Sequence, residues 1–115
     1  DDTILSVIGT SLASLINLSR LSISLQNNKF GLNGVSSFVS SLVNCVNLTS
    51  LFLQLYFKVN FEKSIINLSS GLSNCPNLSI LKLQLGNKRI GSQGISGLFS
   101  SLEKCQKLSI LNVNL

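Results

Sequence analysis

The 115-residue chain contains no histidine, no methionine and no tryptophan, and it has one proline and one tyrosine. Without histidine it lacks the commonest general base and the commonest nitrogen ligand for a metal, which argues against most hydrolytic and zinc chemistry. Acids are scarce too: Asp1, Asp2, Glu62 and Glu103 are the four present. Serine is abundant, at 21 residues, but a serine nucleophile needs a base beside it, and none is at hand. The chain is therefore expected not to be an enzyme and to carry neither cofactor nor metal. It also lacks any apolar run near the ~18 residues that a membrane helix requires, so no membrane association is expected. Leu, Ile, Val and Phe nevertheless supply 46 residues, enough to build one folded domain and to exclude disorder. Nine Lys and Arg against the four acids leave a net charge of +5, which permits an acidic partner without naming one.

What the chain does have is an internal period. At an offset of 30 residues, Leu18, Leu48, Leu78 and Leu108 superpose, as do Leu21, Leu51, Leu81 and Leu111. Ile23, Leu53, Leu83 and Val113 form another column, followed by Leu25, Leu55, Leu85 and Leu115, and Leu12, Leu42, Leu72 and Leu102 keep the same spacing upstream. Cys45, Cys75 and Cys105 share a further column with Leu15. So many columns in one ungapped register mark a repeat architecture and not a bias of composition.

Each repeat holds two periodicities. Leu21-x-Ile23-x-Leu25 and its copies alternate at period two, the signature of a half-buried strand. Val35, Phe38, Val39, Leu42 and Cys45 follow helical spacing, as do Ile65, Leu68, Leu72 and Cys75, then Ile95, Leu98, Phe99, Leu102 and Cys105. Leu5, Ile8, Leu12 and Leu15 give the same stripe in the first helix, so the chain reads helix–strand four times over. Asn44, Asn74 and Pro76 sit where helices should stop, and Gly31, Gly34, Gly91 and Gly94 where strand should turn into helix.

Leu-x-x-Leu-x-Leu-x-Leu, then Asn, then Phe30-Gly31 or Ile90-Gly91 and a helix, resembles a leucine-rich repeat of the ribonuclease-inhibitor type across nearly the whole chain. The resemblance implies an α/β fold: a right-handed α/β solenoid, or horseshoe, with a parallel sheet on its concave face and helices on its convex face. The motif is specific for fold and unspecific for function. Two departures stand out. The repeat is longer than the family's usual one, and the third segment has Phe57, Phe61 and Ser64 where its neighbours have Asn27 and Asn87, Gly31 and Gly91, Gly34 and Gly94. By the same resemblance, Asn27 and Asn87 would form a ladder of bonds to the backbone of adjacent coils.

Parallel strands joined by helical crossovers stack side by side, about 4.8 Å apart. Parallel sheets covered on both faces read as unbroken apolar runs, whereas these strands alternate, so one sheet face is expected to lie open. Its outward positions are Arg20, Ser22, Ser24 and Gln26, then Ser50, Phe52, Gln54 and Tyr56, then Ile80, Lys82 and Gln84, then Ile110, Asn112 and Asn114. From these, Phe52, Gln54, Tyr56, Lys82, Gln84, Ser22, Ser24, Asn112 and Asn114 form the expected partner-binding set, with Phe52 and Tyr56 as anchors because aromatic groups dominate protein interfaces. The same two rings could instead simply pack along one strand.

Other signals weigh less. Lys29, Lys58, Lys88 and Arg89 would line one rim, where a solvated edge is the default and nucleic acid is not the expected partner. Gly91-Ser92-Gln93-Gly94 mimics the Gly-x-x-Gly clamp of a KH domain, but Gly31 and Gly34 stand in the equivalent place and assign these glycines to the turn. An odd number of cysteines, each closing an apolar stripe, reads as buried free thiols in a reducing compartment, so the expected location is intracellular and cytoplasmic. Four Asn-x-Ser/Thr triplets, at Asn17, Asn47, Asn67 and Asn77, oppose this, but three of them arise from the repeat itself.

The chain begins with Asp1 and ends on strand residues, with no polar capping repeat at either end. It is thus expected to be a piece of a longer protein, in which further repeats or another domain cover the ends. The leading functional reading is a non-catalytic scaffold that binds a protein partner on its concave face. The runner-up is a targeting or regulatory module of a larger enzyme, such as a kinase or a ubiquitin-ligase adaptor.

Overall fold

The two periodicities become eight alternating elements: α1 (Asp2–Ala13), β1 (Arg20–Phe30), α2 (Leu32–Val43), β2 (Ser50–Phe57), α3 (Phe61–Leu72), β3 (Ile80–Leu85), α4 (Ser92–Leu102) and β4 (Ile110–Asn114). The structure, a computed structural model, describes residues 2–13, 15, 17–30, 32–57, 61–85 and 91–114. The strands form one all-parallel sheet in the order β1-β2-β3-β4. Its register is the sequence offset made physical: Leu21 pairs with Leu51, Leu51 with Leu81 and Leu81 with Leu111, and Ile23, Leu53, Leu83 and Val113 line up in the same way.

Each helix ends in the same manner. The backbone N–H groups of Leu15, Cys45, Cys75 and Cys105 bond the carbonyls of Leu12, Leu42, Leu72 and Leu102, three residues back, at 2.9–3.0 Å. The next such turn brings Leu18, Leu48, Leu78 and Leu108 onto the carbonyls of Leu15, Cys45, Cys75 and Cys105. Two tight turns therefore satisfy the otherwise stranded carbonyls and aim the chain into the next strand. The apolar column Leu48 and Leu78 plugs this corner and is fully buried.

A single core lies between sheet and helices. Leu51, Leu53, Leu55, Leu81, Leu83 and Leu85 enter it from the strands, and Val35, Phe38, Leu42, Ile65, Leu68 and Leu72 from the helices. The three cysteines are buried and unpaired, as their spacing predicts. Their thiols make long contacts to the carbonyl that ends the preceding helix: Cys45 Sγ to Leu12 O at 3.5 Å, Cys75 Sγ to Leu42 O at 4.0 Å and Cys105 Sγ to Leu72 O at 3.7 Å. A small, weakly donating side chain suits a site that is apolar on all sides but one.

Several expectations are corrected. Ile95 and Phe99 belong to the inward stripe of α4 by spacing, yet they are 37% and 44% exposed, whereas the equivalent Val35 and Val39 of α2 are buried. Those α2 side chains are covered by α3; among the described residues no helix lies beyond α4 to cover its outer flank. Gly34 and Gly94 lie inside the first turns of α2 and α4, not in the preceding turns, and both are buried. Gly91, just before α4, has φ −83° and ψ 168°, an extended conformation open to any residue. The close approaches fall elsewhere: a Cβ at Gly71 would overlap Val39 Cγ1, which requires glycine there, and one at Gly97 would lie 2.7 Å from Ile66 Cγ1, an exposed side chain that can yield. Ser64, standing in for those early-helix glycines, is fully buried with no hydrogen-bond partner for its Oγ among the described residues.

The offset of 30 also fails at one point. Beyond Leu25 opposite Leu55, β1 pairs Lys29 with Tyr56 and Phe30 with Phe57, so Gln26, Asn27 and Asn28 leave the ladder. Asn27 thus lies in an irregularity of β1, while Asn87 and Gly31 lie outside the described residues. The supposed rim cations Lys58, Lys88 and Arg89 also lie outside them.

Candidate functional site: the open face of the sheet

Alternation along the strands sends every second side chain away from the helices. Two cross-strand rows result: Ser22, Phe52, Lys82 and Asn112 in one, and Ser24, Gln54, Gln84 and Asn114 in the next. The structure brings eight of the nine expected partner-binding residues together here. Ser22, Ser24, Lys82, Asn112 and Asn114 are exposed, while Phe52 and Gln84 are half-buried. The ninth, Tyr56, follows on β2 opposite Lys29, and its side chain lies outside the described residues.

Gln54 departs from expectation. It is 8% exposed, and its Oε1 accepts a hydrogen bond from Ser24 Oγ at 2.6 Å. Its place on central strand β2, with neighbours in register on both sides, encloses it. The Ser24 bond satisfies its acceptor, so Gln54 serves as polar flooring for the face more than as a free contact.

An open depression of about 420 Å³ lies near the beginning of the strands, walled by Arg20, Thr49, Ser50, Phe52, Ile80 and Lys82. Arg20 and Ile80 point outward by the same alternation that placed Phe52 and Lys82 there, but they stood outside the expected binding set. Thr49 precedes β2, where period two gives no signal.

Below this depression runs a ladder that sequence reasoning missed. Thr49 Oγ1 donates to Ser19 O at 3.2 Å, Ser79 Oγ to Thr49 O at 3.1 Å, and Ser109 Oγ to Ser79 O at 3.2 Å. Each carbonyl also accepts two backbone N–H groups from the next unit: Thr49 and Ser50 bond Ser19 O at 2.9 and 3.1 Å. One turn earlier, Asn77 Nδ2 donates to Val46 O at 2.6 Å, and Asn77 Oδ1 accepts from Lys107 Nζ at 2.7 Å. On α3, Asn67 Nδ2 donates to Ser36 Oγ of α2. The recurrent Asn-Leu-Ser triplet thus has a structural cause: Asn77 and Ser79 each tie their unit to the one before. The visible signal was the recurrence itself, three Asn-Leu-Ser/Thr triplets at the 30-residue offset.

Among the described residues, no group of three or more metal-ligating side chains gathers. Nor is any helix of the described residues long and apolar enough to cross a membrane.

No protein-family model and no curated protein matches the chain. A solved structure does. The chain is similar to "Leiomodin-1 Actin-Binding Site 2 (ABS2)" with a TM-score of 0.75 at 16% sequence identity. The similarity covers all of this chain and 64% of that one, so the chain spans less than two thirds of its structural neighbour. At this identity the similarity concerns the fold: an α/β arrangement with four parallel strands and four helices.

Proposed function

We propose that the chain is a non-catalytic scaffold that holds a protein partner on the open face of its sheet. The observation that carries this reading is a parallel sheet with helices, among the described residues, on one side only. Parallel sheets are ordinarily covered on both faces, and here the second face carries polar side chains around the half-buried ring of Phe52. An aromatic group set in a polar surround is the usual form of an interface anchor. The 30-residue register, kept from the beginning of each strand up to Leu25 opposite Leu55, supports a right-handed α/β solenoid of the leucine-rich-repeat kind, in which this face is the concave one. Buried, unpaired thiols at Cys45, Cys75 and Cys105 support an intracellular setting.

The structural neighbour carries the name of an actin-binding site, which makes actin the first partner to try. Monomeric actin titrated against the native chain and against the double variant Phe52→Ala/Tyr56→Ala is the test. The expected result is binding that the variant weakens by roughly 2 kcal/mol or more while its circular dichroism is unchanged. Binding of equal strength to both chains would remove these rings from the site; no binding at all would remove actin.

A further inference from the structure

The depression at the beginning of the strands has a composition that narrows the partner's chemistry. This inference rests on the protein-binding reading above and goes further by naming what the partner presents there. Arg20 rises from β1 and Lys82 from β3, both exposed, with Ser50 and Phe52 of β2 between them. In register, Arg20 stands beside Ser50 and Lys82 beside Phe52. Two strand spacings of ~4.8 Å and two residue rises of ~3.3 Å put the Cα atoms of the two cations about 12 Å apart. Arginine and lysine side chains are long enough to converge on one group held over that gap.

No acid among the described residues lines the depression; of the chain's acids, Asp2 begins α1, Glu62 lies in α3 and Glu103 follows α4. The described residues therefore give the two positive charges no counter-charge within the pocket. The lower wall is mixed: the Ser50 and Thr49 hydroxyls lie next to the Phe52 ring and Ile80. A ligand that satisfies all four kinds of wall has a carboxylate for the cations and hydroxyls, and an apolar side chain next to it for Phe52 and Ile80.

We propose that the Arg20–Phe52–Lys82 depression binds a protein segment in which an Asp or Glu adjoins a large apolar residue. Arg20 supplies a planar fork that can grip the carboxylate in two places, and Lys82 adds a point charge from the opposite side. A nucleic-acid strand fits less well. Its affinity depends on neutralising many phosphates, and along the two described rows the remaining side chains, Ser22, Ser24, Gln54, Gln84, Asn112 and Asn114, are all uncharged. Lys63 lies on α3, and Lys104 and Lys107 lie in the connection between α4 and β4, where Lys107 Nζ is bonded to Asn77 Oδ1.

The test is a displayed library of random linear peptides panned against the native chain, with single-stranded RNA of random sequence as a parallel probe. Expected are enriched peptides carrying Asp or Glu beside Leu, Ile, Phe, Tyr or Trp. Their affinity should fall about tenfold for Arg20→Ala and for Lys82→Ala, fall similarly when the peptide acid is changed to its amide, and decline with added salt. Enriched peptides without an acid, weakened by Phe52→Ala but not by the two cation variants, would overturn the carboxylate pocket and leave the protein-binding face standing. Peptides insensitive to all three substitutions would overturn both readings. RNA retained by the native chain and released by Arg20→Ala would assign the cations to phosphate and overturn the proposal, as would a library that yields no binder.

Discussion

At the residue scale, the least conspicuous side chains carry sharp consequences. Gly71 lies in α3, where alanine would ordinarily favour the helix by ~1 kcal/mol. Its missing Cβ, however, is the space that Val39 of α2 occupies, and a β-branched side chain has little freedom to move aside. Gly71→Ala is expected to lower stability by about 1–3 kcal/mol in urea titration. At Gly97 the neighbour is Ile66, which is 38% exposed and can swing outward, so Gly97→Ala should be neutral or slightly stabilising. Cys75 offers a different readout. Burial, and to a lesser extent Cys105 and Cys45, pushes its thiol up to about 11 from 9.0. The folded chain holds this proton more tightly than the unfolded one, so stability is unaffected below pH 9.0 and falls as pH rises towards about 11. Cys75→Ala should lower stability at neutral pH but remove on the order of 2 kcal/mol of that alkaline loss, measured as unfolding free energy against pH.

At the element scale, equal spacing does not mean equal burial. Leu53, in the centre of β2, is fully buried between strands on both sides and the helices beneath. Leu53→Ala should cost about 2–5 kcal/mol. Phe99 occupies an equally regular place in the stripe of α4 but lies 44% exposed, and Phe99→Ala should cost no more than about 1 kcal/mol. Thermal or urea unfolding of the two variants side by side checks the contrast. The helices and strands themselves were legible in the sequence, because periods of 3.6 and 2 were written into leucine, isoleucine and valine positions. So was the open face, since alternation alone places Ser22, Phe52 and Lys82 in one row. The irregularity at Gln26, Asn27 and Asn28 was not, because a repeat offset carries no information about where a ladder pauses. The enclosure of Gln54 was equally hidden: it depends on how closely β1 and β3 crowd β2, a distance no single strand encodes.

At the scale of the whole molecule, four helix–strand units share a single core rather than keeping four small ones. The buried cluster runs from Leu12 in α1 to Leu102 in α4 and Cys105 beyond it, in a slab measuring 35 × 30 × 18 Å. Each unit leaves apolar surface to be covered by a neighbour, as Val39 of α2 is covered by Gly71 of α3, so units should not unfold one at a time. Urea unfolding followed by far-ultraviolet circular dichroism and by fluorescence of Tyr56, the sole tyrosine, is expected to give coincident single transitions. Separate transitions would show that β2 and its neighbours melt independently of the remainder. The ladder of Ser19, Thr49, Ser79 and Ser109 adds to this coupling, because every rung joins adjacent units.

The amino-acid sequence by itself determined the 30-residue pitch, the parallel register of the strands and the identity of the inward leucines, because side-chain periodicity dictates which face of each element seeks cover. The tertiary structure alone decided which of those faces is covered: Val39 lies buried beneath α3, whereas Phe99, with no further helix beyond α4 among the described residues, is left 44% exposed. It alone decided that Arg20 and Lys82, 62 positions apart in sequence, frame one depression. Burial and juxtaposition belong to pairs of elements, and a pair exists only once the chain has folded back on itself.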